Sequence, residues 1–140
     1  MLLLLIPAAF LFQSCHKGCT DSVASNYDAD AKKDDGNCTY NATVTFWYTQ
    51  SQSIAWSQSG VTSLAFYVGD VMVGSSNYDV STYWVTAPNC GESGTINVTK
   101  NLGTSKTKDI SWQVKDQDAV VLKSGTWSAT GGQCDLIQVQ

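Results

Sequence analysis

The side chains able to do chemistry in this 140-residue chain are its thiols, its carboxylates and its large aromatics. Five cysteines, Cys15, Cys19, Cys38, Cys90 and Cys134, leave one over if the rest pair, and four cysteines allow three pairings. Nearness along the chain favours Cys19 with Cys38 and Cys90 with Cys134, closing loops worth roughly 3 and 4 kcal/mol on the chain-entropy model. Zinc would ask for close C-x-x-C or histidine pairs, and the sole histidine, His16, stands beside the first cysteine. Asp28, Asp30, Asp34 and Asp35 crowd around a Gly36 turn, the kind of loop that gathers hard oxygens for calcium. Calcium is the one cofactor the sequence admits. The segment does not follow the D-x-[DN]-x-[DN]-G loop with a later Glu, and Lys32 and Lys33 partly cancel its charge. The competing reading is a solvated acidic turn whose Asp and Asn side chains bond to their own backbone.

Nucleophilic catalysis finds little to work with. No histidine lies beyond position 16, so Ser-His-Asp and Cys-His arrangements have no base there, and no phosphate loop or G-x-S-x-G elbow occurs. Carboxylate pairs remain as the remote hydrolase alternative, through Asp116 with Asp118 or among Asp70, Asp79, Glu92 and Asp135. The expectation is a non-enzyme. Trp47, Trp56, Tyr83 and Trp84 are the ligand candidates, because Trp and Tyr stack on sugars or anchor protein interfaces at low entropic cost. Their partner would be a glycan or another envelope protein, which makes a carbohydrate-binding accessory role the alternative function. Trp112 and Trp127 read as core. Eight basic residues against twelve acids, net charge −4, supply no footprint for nucleic acid.

The first fourteen residues, "MLLLLIPAAFLFQS", carry no charge. They fall short of the ~20 apolar residues of a membrane-spanning helix but suit the apolar region of a secretory signal. Export to an oxidising compartment follows, where disulfides persist. Leu11-Phe12-Gln13-Ser14 before Cys15 resembles the lipobox of bacterial lipoproteins, with Phe12 where Leu is usual. That resemblance implies a diacylglycerol on Cys15, which becomes residue one of the mature chain, and an even remaining set of four cysteines. It also implies an outer membrane lipoprotein, periplasmic or surface-exposed, whose partner is the membrane through its lipid anchor. Two or three acyl chains hold a protein stably where one does not.

The stretch from Cys19 to Cys38 fits "CTD..A.NY...A..DDG.C" and resembles a cysteine-bounded module near the start of exported proteins of the Bacteroidetes and their marine relatives. Within it, Asp21-Ser22-Val23 is similar to the D-[ST]-[AILVMT] site of O-glycan attachment in that lineage, which implies a glycan on Ser22.

Around these residues the chain divides into a signal peptide (1–14), a lipidated tether (15–18), a disulfide-closed Asp/Asn-rich module (19–39) and a β-sandwich domain (40–140). The module is too polar to build its own core and needs its disulfide. Beyond Tyr40 the texture becomes alternating and β-branched, with turn residues every eight to twelve positions, the pattern of an all-β sandwich. Expected strands are Ala42–Gln50, Ser63–Gly69, Val71–Ser76, Tyr83–Thr86, Thr95–Lys100, Asp109–Asp116, then "AVVLKSG", "TWSAT" and "CDLIQVQ". No helical periodicity is evident, and Trp56 falls in a polar loop. "APNCGESGTINVT" with "SWQVKDQDAVVLKSGTWSATGGQCDLIQVQ" resembles the terminal domain of short lipoproteins in the same bacteria, similar in plan to transthyretin-like modules. The resemblance implies that Cys90 pairs with Cys134 and pins the last strand. The expected fold class is therefore all-β: a small antiparallel β-sandwich, Ig-like or transthyretin-like, after a short disulfide-closed irregular module.

Overall fold

Alternation of side chains builds the core. In β3 (Tyr40–Trp47) the residues Tyr40, Ala42, Val44 and Phe46 are buried on one face, and in β4 (Ser63–Val68) Leu64, Phe66 and Val68 answer them. β7 (Thr107–Lys115) adds Trp112 and Val114, and β8 (Val121–Thr130) adds Trp127 and Ala129. Phe46 meets Phe66 at 5.6 Å and Trp112 at 5.7 Å between ring centres, so the two layers interlock through aromatic edges. In β7 the residues Ile110, Trp112 and Val114 face inward while Ser111 is exposed, as the period-2 pattern requires. The computed structural model describes residues 15–79 and 81–140, so the signal-peptide reading of residues 1–14 lies outside the described residues.

The remaining elements are β1 (Lys17–Gly18), β2 (Lys33–Asp34), α1 (Gln50–Gln58), β5 (Val71–Asn77), β6 (Ile96–Gly103) and β9 (Cys134–Gln138). One sheet has the order β6-β3-β9 and the facing sheet β5-β4-β7-β8. This is the all-β sandwich, with both disulfides formed: Cys19 to Cys38 and Cys90 to Cys134.

Three features depart from the expected plan. First, β3 and β9 run parallel, from Thr43 beside Cys134 to Trp47 beside Gln138. The chain crosses between sheets at Gly131 and Gly132, so β9 starts at the same end as β3 and shares its direction. Second, the loop around Trp56 is the helix α1. Its sequence QSQSIAWSQ has no apolar stripe, and only Ser53 and Trp56 are buried, so periodicity cannot reveal it. Gly60, at φ +78°, closes it, with the Gly60 N–H donating to Ser57 O and Val61 N–H to Trp56 O at 3.1 Å each. Third, Tyr83–Thr86 forms no strand and is fastened instead by one backbone bond, Trp84 N–H to Tyr48 O at 3.0 Å. The segments "AVVLKSG" and "TWSAT" merge into β8.

The module packs directly on the sandwich. Tyr40 hydroxyl and Lys106 Nζ both donate to Asp21 Oδ2, at 3.0 and 2.7 Å. The hydrogen bond from Lys106, first, and then that from the Val23 N–H hold the Asp21 carboxyl below its ordinary 3.8. This contact therefore contributes fully above pH 3.8 and fades only as pH falls through the lower folded value. Gly131 and Gly132 allow the approach: a Cβ on Gly131 would stand 2.7 Å from the Tyr40 ring, and one on Gly132 2.9 Å from Val23 Cβ. Residues 16–18, expected as a tether, are stitched to the module as well. β1 pairs in parallel with β2, Lys32 N–H donates to His16 O at 2.9 Å, and His16 Nε2 lies 2.7 Å from Asp28 Oδ2.

Gly132 has φ +77°, where a side chain strains the backbone, so Gly132→Ala is expected to loosen the module at a cost of about 1–2 kcal/mol. Faster amide exchange at Ser25 and Thr39, with β7 amides unchanged, is the measurement. Removing Cys90 and Cys134 together is expected to lower the unfolding midpoint followed by Trp fluorescence by about 2–5 kcal/mol. A transition identical to the parent's would show that the loop is held without its disulfide.

Candidate functional site

β3 carries the chain from the module to the opposite end of the sandwich, and the aromatic candidates collect there. Trp47 closes β3, Tyr48 follows it, α1 presents Trp56, and the loop after β5 brings Tyr78, Tyr83 and Trp84 back. Trp84 is pinned to Tyr48 through its backbone N–H, and Gln50 Nε2 donates to the Tyr83 hydroxyl at 3.2 Å. Trp47, Tyr48 and Trp84 line a crevice of about 50 Å³ whose floor is Phe46, Phe66 and Ile96. Such a space admits about one or two waters and no sugar ring. Trp47, Tyr83 and Trp84 are each half-buried, so their faces, and not the crevice, are the aromatic platform that a ligand could reach. Val85, 87% exposed, extends that apolar surface outward.

Trp56 leaves the list of ligand contacts. It is 4% exposed and packs edge-on against Tyr48 at 4.9 Å and against Tyr78 at 6.1 Å. Its role is to seat α1 under the platform, and the Tyr78 hydroxyl donates to the Ser53 backbone carbonyl beside it. Burial, with the nearby Tyr78 and Asp79 as further causes, pushes the Tyr48 phenol up to about 12. Trp112 and Trp127 are core, as expected, and Trp127 Nε1–H satisfies itself on Asp135 Oδ2 at 2.8 Å.

The acids of the module do not converge. Asp28 Oδ1 accepts the Asp30 N–H at 3.0 Å, Asp34 Oδ1 the Gly36 N–H and Asp35 Oδ1 the Asn37 N–H, each at 2.9 Å. No three His, Cys, Asp or Glu side chains among the described residues stand where they could hold a metal ion. Of Asp28, Asp30, Asp34 and Asp35, the four proposed calcium ligands, Asp28, Asp34 and Asp35 thus each cap the backbone two residues on, the geometry of a solvated turn and not of a gathered ligand set. The other carboxylates behave alike: Asp116 Oδ1 accepts the Asp118 and Val120 N–H groups, Glu92 the Asn89 N–H, and Asp79 the Ser81 N–H and hydroxyl. Ser22 is exposed in a turn, while its neighbour Asp21 is occupied by Tyr40 and Lys106.

The cysteines settle into Cys19–Cys38, with Cα atoms 4.9 Å apart, and Cys90–Cys134, 6.2 Å apart; Cys15 is free and exposed. The second bond lies over the outer face of β3, where buried Thr45 donates to Asn97 Oδ1 at 2.6 Å and accepts the Gly91 N–H at 3.1 Å. One feature escaped the sequence reading: Lys100 occupies an inward position of β6, visible in "INVTKNL" as a lysine inside the apolar alternation of Ile96, Val98 and Leu102. No family model matches the chain, and neither a curated protein nor a solved structure matches it significantly.

Two substitutions separate support from surface. Trp56→Ala is expected to destabilise by about 3–5 kcal/mol, the cost of a large core aromatic, whereas Trp84→Ala leaves the thermal midpoint within a few degrees. Phenol titration checks the same cluster. Tyr48 should remain neutral until about pH 12. Its stabilising share, complete below the ordinary 10.0, should decline between those values.

Proposed function

We propose that this chain is a lipid-anchored, non-enzymatic module of the bacterial cell envelope, held at the outer membrane through Cys15 and serving there in binding or in structure. The observation that carries the reading is the cysteine pairing: four thiols are joined in two disulfides, and the fifth, Cys15, stands exposed directly after the apolar leader. Disulfides fit an extracytoplasmic compartment. No helix among the described residues is long and apolar enough to cross a membrane, and in this reading attachment is through acyl chains on Cys15.

The stitched segment gives the anchor a mechanical consequence. His16 to Gly18 are bonded to the module and the module to Tyr40 and Lys106, so a lipid on Cys15 would hold the sandwich close to the bilayer with little slack. Since β3 runs away from the module, Trp47, Tyr83 and Trp84 would then point away from the membrane. A second reading, a carbohydrate-binding accessory lipoprotein, draws on that same half-buried aromatic platform, whose flat faces suit the apolar face of a sugar.

Mass spectrometry of the mature protein is expected to find acyl chains on an N-terminal Cys15; a free Cys15 thiol with an N-terminus elsewhere would overturn the anchored reading. Glycan arrays then divide the two readings. Saturable binding lost in a Trp47→Ala, Trp84→Ala variant supports the accessory role, and a blank array leaves the protein-binding or structural role.

A further inference from the structure

A second hollow lies at the other end of the sandwich from the aromatic platform. The β4–β5 hairpin turns at Gly69 and Asp70, opposite Ser111, where the Gly69 N–H donates to Ser111 O at 2.7 Å. β7 runs on to Thr107 and β6 to Gly103, so their inner faces pass beyond the hairpin for about four residues, or about 13 Å, without a covering strand. The sheets thus open into a groove of about 420 Å³ with Val68, Val71 and Ile110 along its apolar side.

Two lysines enter this groove from opposite sheets. Lys100 of β6 pairs across with Ala42, which is 1% exposed, and Lys108 of β7 pairs with Ala129, which is 0% exposed. Residues directly opposite in an antiparallel pair share a face, so both lysines occupy core-facing positions beside a buried alanine. Neither has an ion-pair or hydrogen-bond partner among the described residues, where the two ion pairs are His16 with Asp28 and Lys106 with Asp21. An inward lysine on an edge strand can also serve to block edge-to-edge pairing. Beyond Trp112 β7 also has no β4 partner, so that explanation reaches each lysine singly but leaves the convergence of both on one hollow unaccounted for. Of the two acids on the rim, Asp109 pairs outward with Ser128, accepting its hydroxyl at 2.6 Å, which leaves Asp70 at the lip.

We propose that this groove binds an oxyanion, the phosphate or sulfate group of a small organic ligand, placed between Lys100 and Lys108 with its apolar body along Val68, Val71 and Ile110. Lysine is a point-charge phosphate binder, and two of them beside an apolar wall supply the charge for such a contact. The chain as a whole is acidic, at −4, so general attraction for anions would not produce saturable binding here. A soluble phosphate ester and a phospholipid headgroup present the same group, and the exposed Val71 on the groove's wall fits either body.

The test titrates the purified full chain, followed by NMR and calorimetry, with inorganic phosphate, glucose 6-phosphate and dihexanoyl phosphatidic acid below its micelle concentration. Expected are saturable shifts at Lys100, Lys108 and Ile110. Lys100→Gln with Lys108→Gln should weaken binding by about tenfold or more, and Asp70→Asn should tighten it. The opposite sign at Asp70 separates a site from a folding defect. Preference for the lipid identifies a headgroup, parity with glucose 6-phosphate a soluble ester, and equal affinity for inorganic phosphate an oxyanion site without an apolar requirement. Lack of saturation by all three probes, or a double-lysine variant that binds as tightly as the parent, overturns the proposal.

Discussion

β3 is flanked on both edges, by antiparallel β6 and parallel β9, and it meets three demands at once. Its inward residues Ala42, Val44 and Phe46 fill the space between the sheets. Its outward Thr45 would be a half-wet sheet position, yet it is fully buried because the loop tied by Cys90 to Cys134 lies over it. A buried hydroxyl is costly unless satisfied, and Asn97 and the Gly91 N–H satisfy this one. The disulfide therefore holds a polar lid in register over the central strand, in addition to closing a loop.

The same strand separates the two ends of the molecule. At its start, small residues decide the geometry: Gly131 lies against the Tyr40 ring, Gly132 lets Val23 of the module come into contact, and Asp21 fixes the approach with two donors. At its finish, large ones decide it, with Tyr48 and Trp56 buried edge to edge and Trp47 and Trp84 left half open. Close backbone approach makes a rigid joint, and partly buried aromatic area makes a surface able to receive a partner.

Toward the module end the sandwich is incompletely closed. A hairpin shorter than the strands it faces leaves part of the inner surface bare, and the chain places Lys100 and Lys108 there instead of further Val or Leu. Charge at core-facing positions is tolerated because the groove is open enough to hydrate the ammonium groups.

What the sequence by itself determined is whatever rests on short-range pattern. Alternation in "DISWQVKD" and "SLAFYVG" marked strands and their buried faces, turn residues marked their ends, and the number and spacing of cysteines favoured the pairing that formed. Tertiary structure decided what depends on a distant partner. α1 has one large anchor, Trp56, and exists because Tyr48 and Tyr78 receive it; a nine-residue helix with a single apolar contact leaves no periodic trace. Tyr83–Thr86 reads as a strand but has no neighbour to pair with. The acids of the module look like a ligand set in one dimension, and in three Asp28, Asp34 and Asp35 bend back onto their own backbone, because an Asx turn two residues long outcompetes convergence across the loop. Lys100 and Lys108, eight positions apart and on different sheets, become neighbours of one groove only when the sandwich closes and the hairpin over them stops short.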